Sequence, residues 1–191
     1  MRLRKRQTRA SDGITALVTL QEMKDHLLEY NDDRDSVITA LIASCTADLQ
    51  RQLGFYIDTT GVIYQHYDAF SNEMPIFHAF IKSDTADVVV QYLDSSYAWQ
   101  TVSSSYYRIA PASTPPRIIL KANQTWPETL GESECVRISF KADTTHTAWG
   151  SFKQCIKEMV TEAYENPEGS WHSAIMESAV TRVVAAYRLR S

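Results

Sequence analysis

The chain has 191 residues, 44% of them hydrophobic and 22% charged, with a formal net charge of −4. That length can bury a substantial core but is short for two independent domains, so one folded unit with an elaborate insertion is expected. No apolar run approaches the roughly 18 residues needed to span a bilayer, and the basic start is followed by Gln7 to Gly13 rather than by the apolar stretch of a secretory signal. No membrane-crossing segment is therefore expected, and the protein is expected to stay in the cytoplasm where it is made. Cys45, Cys135 and Cys155 are odd in number and form no C-x-x-C pair, which argues against a disulfide framework or a zinc knuckle and for buried thiols.

Charge is unevenly placed. Arg2, Arg4, Lys5, Arg6 and Arg9 stand without an acid in the first ten residues, so the other 181 residues carry 14 basic and 23 acidic side chains, a net of −9. A basic arm on an acidic body suits phosphate contacts with nucleic acid, an acidic face of a protein partner, or plain solvation.

Thr19-Leu20-Gln21-Glu22 reads as a capping box opening a first helix that ends near Tyr30-Asn31. Leu20, Met23, Leu27 and Leu28 form its apolar side, with Lys24, Asp25 and Glu29 opposite. Asp32, Asp33 and Asp35 suit the N-terminus of the next helix, where an aspartate can cap. They lack the central glycine and final glutamate of a calcium loop, so no metal is expected. The second helix, about 34–53, carries the stripe Val37, Ile38, Leu41, Ile42, Cys45, Leu49 and Leu53, and stops at Gly54. Ala40, Ala43 and Ala47 flank the stripe as small positions where another helix can approach.

From Phe55 aromatic and β-branched residues take over, and strands are predicted at 62–67, 88–93, 99–102, 106–109, 117–120 and 136–140. Val136, Ile138 and Phe140 alternate with Arg137, Ser139 and Lys141, as in a sheet with one wet face. Asp94 to Tyr97 reads as a hairpin turn, and Thr125 to Glu134 as an exposed loop. A six-stranded sheet or small barrel between helix pairs is the resulting picture.

Helical spacing returns with Phe152, Cys155, Ile156, Met159, Val160, Ala163 and Tyr164, and stops where Asn166 precedes Pro167. A fourth helix, about 174–187, presents Ile175, Met176, Ala179, Val180, Val183, Val184 and Tyr187. The fold class is α+β: a bundle of about four helices, two N-terminal and two C-terminal, with an inserted antiparallel β-rich block. The expected divisions are an arm at 1–17, helices at 18–54, the insertion at 55–147, and helices with a tail at 148–191.

Catalytic constellations are missing from this pattern. His26, His66, His78, His146 and His172 have no zinc-ligand spacing, and no G-x-S-x-G elbow or phosphate-cradling glycine loop occurs. Cys155 lies on an apolar stripe and Glu158 and Glu162 on a helix with nearby lysines, so neither suggests a nucleophile or an acid–base pair. No enzyme activity, cofactor or catalytic residue is expected. Trp99, Tyr106 and Tyr107 are candidates for an interface or for the core.

The words Val18-Thr19-Leu20-Gln21-Glu22-Met23-Lys24-Asp25-His26-Leu27, Leu53-Gly54, Tyr106-Tyr107-Arg108-Ile109, Arg117-Ile118-Ile119-Leu120, Trp126-Pro127, Val136-Arg137-Ile138-Ser139-Phe140, Ala163-Tyr164-Glu165-Asn166 and Val184-Ala185-Ala186-Tyr187-Arg188 follow in order. That order resembles the head-completion adaptors, or head–tail connector proteins, of tailed bacteriophages. The resemblance implies a structural virion protein of the neck, in a ring of about twelve copies beneath the portal vertex. Its partners would be the portal protein and a tail or stopper protein, with DNA passing through the channel without sequence-specific binding. The acidic body would keep the channel wall from gripping phosphates. The tail Tyr187, Arg188, Leu189 and Arg190 is the expected portal contact, and the basic arm departs from the family's pattern. A tail-completion or terminator ring, and a nucleic-acid-binding module acting through the arm, are the alternatives.

Overall fold

A computed structural model describes residues 6–9, 16–57, 61–78, 80–82, 87–113, 115–167 and 174–187, with only the main chain described at 6–9 and 174–176. The fold is α+β, with four helices and antiparallel sheets among the described residues. Its contacts divide it into two compact units, one comprising residues 15–59 and 145–191, the other residues 1–14 and 60–144.

In the helical unit, α1 (Leu20–Leu27) starts at the predicted capping box: the Glu22 amide donates to Thr19 Oγ1 at 3.1 Å, and the Thr19 amide to Glu22 Oε2 at 2.9 Å. Lys153 adds an ion pair to Glu22 at 2.9 Å. The Thr19 amide first, then Lys153, hold the Glu22 carboxyl down at about 2, against an ordinary 4.5. A depressed native pKa gives stability that is present above the ordinary value and fades as pH falls through the native one. Wild type should therefore melt higher than Glu22→Gln at pH 6, with the gap closing between pH 4.5 and 2. A constant gap in thermal melts would show that this carboxylate does not carry the effect.

The stripe of α2 (Asp35–Leu53) buries Ile38, Ile42, Cys45, Leu49 and Leu53, and its end is closed by Gly54 at φ 83°, a conformation that favours glycine. α3 (Ala148–Glu165) covers that stripe with Phe152, Cys155, Ile156, Met159 and Val160, and α4 (Ala174–Tyr187) adds Ala179, Val180 and Val183. Helices distant in sequence thus share one core.

Three expectations for this unit need correction. Leu28 and Val37 are not core: they are 71% and 51% exposed, while Lys24 is buried. The reason at Leu28 is local, since α1 ends at Leu27 rather than near Tyr30-Asn31, with Leu28 in the left-handed region. None of the aspartates caps α2, because Arg34 occupies that position without a side-chain cap bond. Asp32 and Asp35 instead grip Lys24 Nζ, at 2.6 and 2.7 Å. Finally, Ala40, Ala43 and Ala47 face outward rather than against another helix.

Among the described residues the sheet unit contains eight strands in two sheets, where one sheet or barrel of six was expected. β1 (Arg6–Arg9), β2 (Val62–Tyr67), β4 (Val88–Leu93), β5 (Trp99–Thr101) and β8 (Val136–Lys141) form a five-stranded antiparallel sheet in the order β1-β2-β8-β4-β5. β3 (Glu73–Pro75), β6 (Tyr107–Ala110) and β7 (Arg117–Leu120) form the second, in the order β3-β7-β6. The two unexpected strands, RQTR and EMP, are short and lack apolar alternation, so only their pairing partners make them strands. Inner faces bury Ile63, Tyr67, Met74, Ile76, Val88, Val90, Ile118, Ile138 and Phe140.

Turns follow the polar residues. Asp94 carries the β4–β5 hairpin: its carboxylate accepts from the Ser96 amide at 2.8 Å, the Ser96 hydroxyl at 2.6 Å and Gln100 at 2.7 Å. Those bonds hold its pKa well below the carboxylate range. The 125–134 segment is tied down rather than freely exposed. Trp126 stacks on Phe70 at 4.6 Å between ring centroids and donates its indole N–H to Ser71 O at 2.9 Å.

Candidate interaction surfaces

The predicted arm and tail are only partly described. Arg6 and Arg9 lie in β1, opposite His66 and Ile63 of β2, whereas Arg2, Arg4 and Lys5 lie outside the described residues. Tyr187 packs edge-on against Phe152 at 5.2 Å, and Arg188, Leu189 and Arg190 lie outside the described residues.

Of the three aromatic candidates, Tyr107 is core at 2% exposure and Tyr106 is at the surface. Trp99 belongs to a polar ladder on the outer face of the five-stranded sheet. Register places His66, Arg137, Gln91 and Thr101 on one rung across four strands. The Arg137 guanidinium lies 4.0 Å from the Trp99 ring centroid and 5.3 Å from that of Tyr64, and its Nε donates to Gln91 Oε1 at 2.9 Å. Partial burial lowers the Arg137 pKa, yet a guanidinium stays charged at neutral pH. The face is thus a cation held by two rings and an amide. Nothing local in the sequence marks it, because its members meet only through strand register.

A second surface is the corner between α1 and α2, where Leu28, Tyr30 and Val37 are 71%, 82% and 51% exposed. Below it the Lys24 ammonium is held by Asp32 and then Asp35, which raise its pKa. Glu29 accepts from the Tyr164 hydroxyl at 2.8 Å and from the Asn31 amide at 3.3 Å, and the Tyr164 bond in particular lowers its pKa. Asp32, Asp33 and Asp35 read as a helix cap in the sequence, whereas such a run suits a partner ammonium such as that of Lys24 as readily.

The third surface is a groove of about 420 Å³ between α3 and α4, lined among others by Gly150, Gln154, Glu158, Ala179, Arg182 and Ala186. Cys155 lies at its base, but burial pushes that thiol up to about 11 and Cys45 up to about 12, so neither is a ready nucleophile. Among the described residues no group of three or more His, Cys, Asp or Glu side chains is gathered to hold a metal, and no helix is long and apolar enough to cross a membrane.

The chain matches no protein-family profile and no curated protein. Solved structures do share its fold along nearly the whole length. A chain from the neck of an empty gene transfer agent (GTA) particle, computed with C6 symmetry, aligns with a TM-score of 0.75 at 15% identity, covering 97% of this chain and 96% of that one. A chain from the native particle's neck, computed with C12 symmetry, gives 0.69 at 16% identity with coverage of 97% and 96%. A chain from the virion of the native particle gives 0.73 at 14%, again over 97% and 96%. At these identities the likeness is one of fold.

Proposed function

We propose that this chain is a structural protein of the neck of a phage-like particle, a head–tail adaptor forming a ring beneath the portal vertex. The observation that carries the reading is the whole-length likeness, helices and both sheets together, to neck chains at TM-scores of 0.69 to 0.75. The order of sequence words from Val18 to Arg188, which resembles that of the head–tail adaptors, supports the reading separately. The C6 and C12 symmetries of the neighbours' particles suit a ring of about twelve copies here. In this role the chain is no enzyme: it extends the DNA channel and offers the tail or stopper a docking surface. Its acidic body keeps the channel from binding phosphates, and Tyr187, Arg188, Leu189 and Arg190 form the portal contact.

Native mass spectrometry with electron-microscope class averages, on the chain alone and mixed with its portal ring, tests this. The expected result is saturation at about one copy per portal subunit. No portal binding, together with a salt-sensitive DNA shift that needs residues 1–10, would replace the adaptor with a nucleic-acid module acting through the arm.

A further inference from the structure

We propose that the α1–α2 corner is a docking knob whose occupant is the α3–α4 groove of a second copy of this chain. The proposal rests on the ring reading above and names the contact between neighbours.

The knob is costly to the free chain. Leu28 has φ 56° and ψ 33°, in the left-handed region where glycine or asparagine is favoured, and it shows 71% of its surface to solvent. A leucine in that position serves the isolated fold neither by backbone preference nor by burial. Tyr30, at 82%, and Val37, at 51%, stand exposed within the same turn and the first turn of α2. The corner beneath them is tied by Lys24 to Asp32 and Asp35, and by Glu29 to Tyr164 and Asn31. Exposed aromatic and aliphatic side chains on a tied backbone are the form of an interface anchor, because little freedom remains to be lost on docking.

The groove supplies the complement on the same unit. Its volume of about 420 Å³ is that of a pocket able to hold a small molecule, clefts of about 300–1,000 Å³ being usual for that, and so has room for a leucine or tyrosine side chain. Gly150 and Ala186 keep it open, and a Cβ built on Gly150 meets nothing within 4 Å. Glu158 and Arg182 both line the groove, and one opposite-charge contact to the corner is available. Arg182, exposed on the groove, has no ion pair among the described residues, and neither has Asp33, exposed on the corner. Knob and groove are different patches, so their contact is heterologous. Repeated head to tail, it closes a ring when the rotation between copies allows.

The test is the loading of portal rings by full-length protein, counted by native mass spectrometry at substoichiometric ratios. Wild type should fill rings in an all-or-none manner, because neighbours hold each other. Leu28→Asn and Gly150→Phe should each fill them statistically. Asp33→Arg and Arg182→Asp should each do the same, and the two reversals combined in one chain should restore all-or-none filling. Leu28→Asn should meanwhile leave the melting temperature of the free chain unchanged or raised, since asparagine tolerates the left-handed region. All-or-none filling by the knob or groove variants, or failure of the double reversal to restore it, overturns the contact and leaves the adaptor reading standing. Failure of wild type to load portal rings at all overturns the reading, and the contact with it.

Discussion

Phe152→Ala is expected to destabilise the helical unit by about 3–5 kcal/mol, the usual cost of truncating a buried phenylalanine. Phe152 is fully buried, with ring contacts to Phe55 at 6.2 Å, Trp149 at 5.6 Å and Tyr187 at 5.2 Å between centroids. It joins the segment after α2 to α3 and to the end of α4, so the cavity has walls on several elements that cannot collapse together. Against a total stability of order 5–15 kcal/mol, such a loss is a large fraction. Urea unfolding followed by far-UV circular dichroism measures it. A loss under about 1 kcal/mol would mean that the site relaxes and that this aromatic cluster is not what joins the helices.

Gln65→Leu is the second large expected effect, from a buried polar network rather than from volume. Gln65 is fully buried on β2: its Oε1 accepts from the Phe77 amide at 2.9 Å, and its Nε2 donates to Pro75 O at 2.9 Å and to the Tyr67 hydroxyl. Tyr67 itself donates to Pro75 O, and burial pushes its phenol pKa well above the ordinary value. The network links the β2 strand to the β3 segment beyond the reach of either ladder. Leucine fills nearly the same space but removes the bonds to the Phe77 amide and Pro75 O inside a buried site, at a cost of about 1–3 kcal/mol. Tyr67→Phe should cost less, and the double variant less than the sum of the two, because the side chains share an acceptor. Additive losses in urea titrations would show that the two act separately.

The effects proposed for the knob and groove have another character. Those residues are exposed in the single chain, so their substitution should not lower stability in unfolding experiments, and the loss it causes should be visible only in assembly. Stability and ring formation are thereby separable in one chain. Core and network variants report on the fold, and corner and groove variants report on the neighbour.

Three helix ends were legible in the sequence because their signals are local, whereas the end of α1 and the start of α2 were not. The Thr19 to Glu22 box, Gly54 after the α2 stripe and Asn166 before Pro167 each act within one turn. Strands with strong alternation, such as Val136 to Lys141, were legible for the same reason. The interaction surfaces were harder to read, since exposure of a leucine depends on where the preceding helix stops and what fills the space beside it.

By itself the amino-acid sequence determined the α+β class, the four helices and six of the strands, because periodicity and capping are properties of neighbours along the chain. The tertiary structure alone decided that the strands form two sheets, that RQTR and EMP are strands at all, that Lys24 turns inward to two aspartates, and that Leu28 turns out. It also decided the Arg137 ladder, whose members stand on four strands. Each of these depends on a partner far away in sequence. Pairing register and burial arise from long-range contacts, which local propensity does not encode.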